Sequence, residues 1–143
     1  MSIQIDALTD AAAFGNYSVV KILLKNGIDV HADSDRAFYS ACNNGHSATV
    51  KLLLQFGASH DAAFICATRN HHLGVTKLLL ENGFGSNAEI DRAFRCAIDA
   101  KDLVMIRLLL EFGANINNEI NEINKLILEF NDLGIINQIK EYI

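Results

Sequence analysis

Apolar residues recur along this chain at helical spacing, stop, and begin again in the same pattern. In DRAFYSACNNGHSATVKLLLQFG, from Asp35 to Gly57, Phe38, Ala41 and Cys42 stand at i, i+3 and i+4, one stripe of a short helix. Asn44 and Gly45 interrupt it, because glycine accepts the left-handed conformation that a chain reversal needs. A second helix is predicted from about Ser47 to Phe56, with Val50, Leu53 and Leu54 on one face, and Gly57 ends it. The segment therefore predicts helix, turn, helix, stop.

The same phrases come back. KILLKNG ends at Gly27, KLLLQFG at Gly57, KLLLENG at Gly83 and RLLLEFG at Gly113, spacings of 30, 26 and 30. DRAFYSA from Asp35, DAAFICA from Asp61 and DRAFRCA from Asp91 each start 22 residues before their glycine. The stripe reads Phe64, Ala67, Thr68 in one copy and Phe94, Ala97, Ile98 in the next. Asp35, Asp61, Asp91 and Asn121 are expected to cap the first helix of each unit, accepting from free amides of its first turn. Carried backward the phase reaches Ile5, and carried forward it gives a fifth copy ending on Ile143. We expect one all-α domain over 1–143, with units 5–34, 35–60, 61–90 and 91–120 and a cap at 121–143. Two helices this short cannot bury such faces alone, so each unit needs a neighbour. Asn124, Gln138 and Lys140 replace apolar positions in the fifth copy, and Thr9, Asp10 and Asn16 lie on the outer side of the first. Both ends thus read as caps, and a monomer is expected.

Composition narrows the function. The chain has 143 residues, half of them apolar, which suits an extended core and not a disordered segment. No run approaches a membrane span, and MSIQIDALTD lacks the basic start and apolar stretch of a signal peptide. A cytoplasmic location is expected, extending to the cytoplasm or nucleus of a host cell. Cys42, Cys66 and Cys96 form no CxxC pair and sit beside small residues, so they are expected to be reduced and buried. The net charge of −5 argues against nucleic acid, which needs a basic surface. Lys21, Lys51, Lys77 and Arg107 alternate with acids such as Glu81 and Glu111 and are read as a solubilising outer face.

ACNNGHSATVKLLLQFGA, from Ala41 to Ala58, resembles the ankyrin-repeat phrase AxxGHxxxVKLLLxxGA, and the resemblance runs from residue 5 to 143. It implies L-shaped pairs of antiparallel helices, stacked side by side and joined by hairpin fingers, that bind proteins along a concave face of fingers and inner helices. It also implies a binding module and not an enzyme. Two departures stand out. The family's TPLH is here RAFY, AAFI and RAFR, with Ala37, Ala63 and Ala93 in place of proline. Units of this DxAFxxA kind resemble those of ankyrin proteins from large DNA viruses and intracellular bacteria, which suits a chain rich in Ile and Asn and without proline. The joints are also short: IDVHADS, FGSNAEI and ANINNEI, and only Ala58, Ser59 and His60 between Gly57 and Asp61. Projecting fingers are not expected.

What the resemblance implies for a site is a groove at the ends of the inner helices. Asn43, Asn44, Arg69, Asn70 and Asp99 occupy it, with Ala13 and Phe14 in the first unit, and their chemistry varies while the neighbouring stripe stays fixed. Phe56 and Phe112, just before their glycines, would be interface anchors if exposed; the alternative is that they cover the short loops. His46 and His72 match the family's structural histidine, which ties down the turn backbone. His71 stands where Gly45 stands one copy earlier and should strain its turn. His60, His71 and His72 have no cysteine or carboxylate at ligand spacing, so no metal is expected. No nucleophile motif or phosphate loop is present, so neither catalysis nor a cofactor is expected. The reading is an adaptor or effector that binds another protein, a host-cell protein if the source is a virus or pathogen. The alternative is a self-associating structural scaffold. A third reading makes Asn87 and Asn117 targets of an asparaginyl hydroxylase.

Overall fold

In the computed structural model, which describes residues 2–130, 137 and 139–142, each repeated stripe becomes a helix. The order is α1 (Ser2–Ala13), α2 (Tyr17–Lys25), α3 (Ala32–Asn43), α4 (Ser47–Gln55), α5 (Ala63–Arg69), α6 (Leu73–Glu81), α7 (Asn87–Asp99), α8 (Leu103–Glu111) and α9 (Ile120–Phe130). Among the described residues there is no strand, so the short joints form no hairpin fingers. Gln138 and Ile143, invoked for the fifth copy, lie outside the described residues.

Contacts divide the chain into one unit through Phe84 and another from Gly85. In the first, α1 packs on α3 and α3 on α5, while α2 packs on α4 and α4 on α6; each odd-numbered helix also packs on the helix that follows it. Three copies thus lie side by side. Their core is the recurring stripe: Leu8, Phe38 and Phe64 are sealed from solvent together with Val20, Val50, Leu53 and Leu79. Ala41 and Ala67 are 0% exposed, the small positions that let adjacent helices approach. In the second unit α7 packs against α8, and Phe94, Met105, Ile106, Leu109 and Ile123 are buried.

The reversals inside the copies share one construction. Gly15 and Gly45 have φ of +68° and +78°, and the same place is held by His71 and Lys101 at 58° and 55°. His46 and His72 each reach back one copy. Their Nε2–H groups donate to the carbonyls of Ala13 and Asn43, at 2.8 and 2.9 Å, since a carbonyl can only accept. Asn16 and Asp102, at the matching positions, instead cap their own helices by accepting from Val19 N and Met105 N.

The recurring aspartates are not helix caps, and this corrects the expectation. Asp91 lies inside α7, whose cap is Ser86: its hydroxyl accepts from Glu89 N while Ser86 N donates to the Glu89 carboxylate at 2.8 Å, a capping box. Asn121 is the second residue of α9, and α5 starts from Ala62 without a side-chain cap. What Asp91 does is accept from Asn115 N at 2.8 Å, and Asp35 accepts from Ser59 N at 3.0 Å. Both reach 24 residues forward, to the second residue past the next glycine, so the repeated acid ties the following loop. Asp35 does so from a run of three left-handed residues, Asp33, Ser34 and Asp35 at φ 51°, 55° and 58°. Such residues cost roughly 1–2 kcal/mol each. The contacts of Asp35 with His31 Nδ1 and Ser59 N, and of Asp33 with Arg36, offset only part of that cost.

One buried group is left over. The hydroxyl of Thr76, at a place where the neighbouring copies carry Val50 and Ile106, is sealed and makes no hydrogen bond among the described residues. Thr76→Val removes an unsatisfied oxygen and keeps the shape. It should stabilise the chain by about 1 kcal/mol, read as a higher urea midpoint with unchanged slope.

Candidate protein-binding face

The C-terminal ends of α1, α3 and α5 come together in the first unit because the turn histidines and side-chain amides link them. His46 joins the reversal after α3 to the end of α1, and His72 joins the reversal after α5 to the end of α3. Asn70 Nδ2 donates to Asn43 Oδ1 at 3.1 Å, a direct bond between groove positions of adjacent copies, and also to Cys66 O at 2.9 Å. Asn44 Nδ2 donates to Ser40 O at 2.8 Å, which fixes that amide and turns it against its own helix end. Asn43 is half-buried, whereas Asn44, Arg69 and Asn70 are exposed. Four of the five predicted groove residues therefore form one patch. Asp99, the last residue of α7, is exposed on the second unit.

The aromatic positions differ in exposure. Phe56, the residue after α4, is 41% exposed, and Phe112, after α8, is half-buried. Phe14 follows α1 at the place of Asn44 and Asn70 and is 84% exposed, the strongest aromatic candidate. Sequence reading put Phe14 in the groove but gave the anchor role to the other two. The signal lay in the register, since a residue two steps past the stripe lies roughly 200° round the helix from it and faces away from the core.

Several groups that could have carried other chemistry are occupied. Burial pushes the Cys42 thiol up to about 12, and the nearby Cys66 adds to the shift, so Cys42 stays protonated at neutral pH. The phenol of Tyr39 is held above its usual range first by a hydrogen bond with Cys66, then by the charge of that thiol and by burial. The expectation of three buried cysteines fails for two. Cys66 is half-buried and Cys96 exposed, because each stands two residues past its phenylalanine, roughly 200° round the helix. His60 Nδ1 accepts from Ala62 N, and its ring lies 5.0 Å from that of Tyr39. On the second helices, Lys77 and Arg107 pair with Glu81 and Glu111 at 4.0 and 3.1 Å. Among the described residues no group of three or more His, Cys, Asp or Glu could hold a metal ion, and no helix is long and apolar enough to cross a membrane. Asn87 opens α7 and Asn117 lies in the loop before α9, where its N–H donates to Asn115 Oδ1.

No curated protein matches the chain. The family model described as ankyrin repeats (3 copies) matches residues 8–92 and 38–120, which spans the four copies and most of the chain. Ankyrin repeats are generally protein–protein interaction modules. With the stacked helix pairs, the turn histidines and this match in agreement, the chain belongs to the ankyrin-repeat family.

Proposed function

We propose that the chain is a non-enzymatic adaptor or effector that binds another protein through the inner-helix ends of its first unit. It would act in the cytoplasm, on a host-cell protein if its source is a virus or pathogen. The observation that carries this is the Asn70–Asn43 bond between the second and third copies, together with an 84% exposed Phe14 at the matching position of the first. Polar groups from adjacent copies are held in place before any partner arrives, and the first copy presents an aromatic side chain that the fold leaves uncovered. Preorganisation lowers the ordering cost of binding, and a buried aromatic is the commonest kind of anchor. Arg69 supplies a cation on the same patch. Asp99 is proposed as a separate contact on α7.

The test is a combined replacement of Phe14, Asn44, Arg69 and Asn70 by alanine. It should abolish capture of the partner in affinity purification from the natural cell, while each exposed change shifts stability by less than about 0.5 kcal/mol. Alanine at Lys51, Lys77 and Arg107 should leave capture intact. Loss of capture from this second set alone would place the partner on the second helices and reject the proposed face. Asp99→Ala is compared on its own.

A further inference from the structure

The second helices divide by charge. Lys21, Lys51, Lys77 and Arg107 share one register position, and the residue four further on is Lys25, Gln55, Glu81 and Glu111 in turn. Lys77 and Arg107 therefore meet a carboxylate one turn along, at 4.0 and 3.1 Å. Lys21 and Lys51 have none on their own helices, because α2 and α4 carry no acid at all. No carboxylate among the described residues pairs with Lys21, Lys25 or Lys51, and all three are exposed. In a chain of net charge −5, the first unit thus gathers cations on neighbouring helices, since α2 packs on α4 and α4 on α6.

A cleft of about 200 Å³ opens along this row between α4 and α6, lined by Lys51, Leu54 and Gln55 on one side and by Leu78 and Asn82 on the other. Leu54 and Leu78 are half-buried and supply its apolar part. Asn82 Nδ2 donates to Leu78 O at 2.8 Å, which holds that wall in place. Small-molecule sites run to roughly 300–1,000 Å³, so this volume suits a single side chain. Helices packed side by side stand about 8–10 Å apart, and Lys21, Lys51 and Lys77 repeat at about that interval. An extended polyproline-type segment advances about 9.3 Å in three residues, so acids at every third position meet successive lysines. We propose that this face docks an extended acidic segment of a second protein, with carboxylates on Lys21, Lys51 and Lys77 and one apolar side chain in the cleft. An anionic bilayer fits less well, because a planar layer of headgroups has no side chain for the cleft and would bring its charge against Glu81. The surface uses none of the residues of the proposed inner-helix face, and either can fail without the other.

The test is fluorescence anisotropy of a short labelled peptide, glutamate at every third position with one leucine between, titrated with the full chain. The peptide should bind at low ionic strength and weaken steeply with salt, and its glutamine analogue should not bind. Lys51→Ala should weaken binding about two- to fivefold, the scale of one exposed ion pair. Gln55→Glu should weaken it as much without removing a lysine, because it gives Lys51 the carboxylate that Lys77 and Arg107 have. Gln55→Lys should tighten it, and alanine for the peptide's leucine should weaken it. All these positions on the chain are exposed, and circular dichroism should show unchanged helices. A chain that ignores the peptide, or takes the glutamine analogue equally well, overturns the proposal, as does full affinity in Gln55→Glu. Preference for phosphatidylserine vesicles or a thymidine oligonucleotide through the same lysines would overturn it too, making the partner a membrane or a nucleic acid. So would loss of peptide binding on replacing Phe14, Asn44, Arg69 and Asn70, which would move the acidic segment to the inner helices.

Discussion

Phe38→Ala is expected to lower the stability of the chain by about 3–5 kcal/mol, the range for truncating a sealed aromatic side chain. Phe38 is 0% exposed, lies on the helix that packs against both α1 and α5, and has the ring of Phe84 at 5.8 Å. Its removal leaves a cavity in the core of the first unit, on a helix packed from both sides. Since total stabilities of domains are only about 5–15 kcal/mol, this change should bring the first unit near unfolding at room temperature. Urea unfolding followed by circular dichroism reads the loss directly. Phe14→Ala, at a ring 84% exposed, should change the midpoint little in the same experiment. Equal losses from the two would mean that the stripe has been assigned to the wrong face.

The sequence made the second helices and the core stripe legible, and the starts of the first helices misleading. The predicted helix from Ser47 to Phe56 is α4, Ser47–Gln55, because a run of leucines closed by glycine leaves one reading. Phe38, Ala41 and Cys42 are all sealed, as helical spacing requires. The aspartates recur at a fixed phase, and a repeated acid ahead of an apolar stripe looks like a cap. In the fold the same recurrence arises from a bond 24 residues away, which no local pattern contains. The cap of α7 was visible as Ser86-x-x-Glu89, a capping box inside a stretch that the repeat phase had assigned to a loop. At the proposed binding face, register put Asn43 and Asn70 at matching ends of adjacent first helices, and a direct bond joins their side chains. The same register carried a signal for Phe14, which stands at the place of the exposed Asn44 and Asn70 and is 84% exposed.

Gly45→Ala should cost about 2–3 kcal/mol, and the size of the loss should depend on His72. Two effects act at this position. The backbone sits at φ +78°, where a side chain costs roughly 1–2 kcal/mol. A Cβ there would also lie 2.5 Å from His72 Nδ1, on a ring pinned through Nε2–H to Asn43 O at 2.9 Å. The ring has to move, and the bond between copies, worth about 1 kcal/mol, goes with it. The chain carries the matching correlation: Gly15 is followed one copy later by His46 and Gly45 by His72, but His71 is followed by Asp102. His71 keeps φ 58°, so the conformation alone does not demand glycine. In a double-mutant cycle with His72→Asp, the cost of Gly45→Ala should fall to the conformational part, about 1–2 kcal/mol, leaving a coupling near 1 kcal/mol. The same cost with and without His72 would show that the glycine serves the turn alone and that the imidazole of the next copy does not select it.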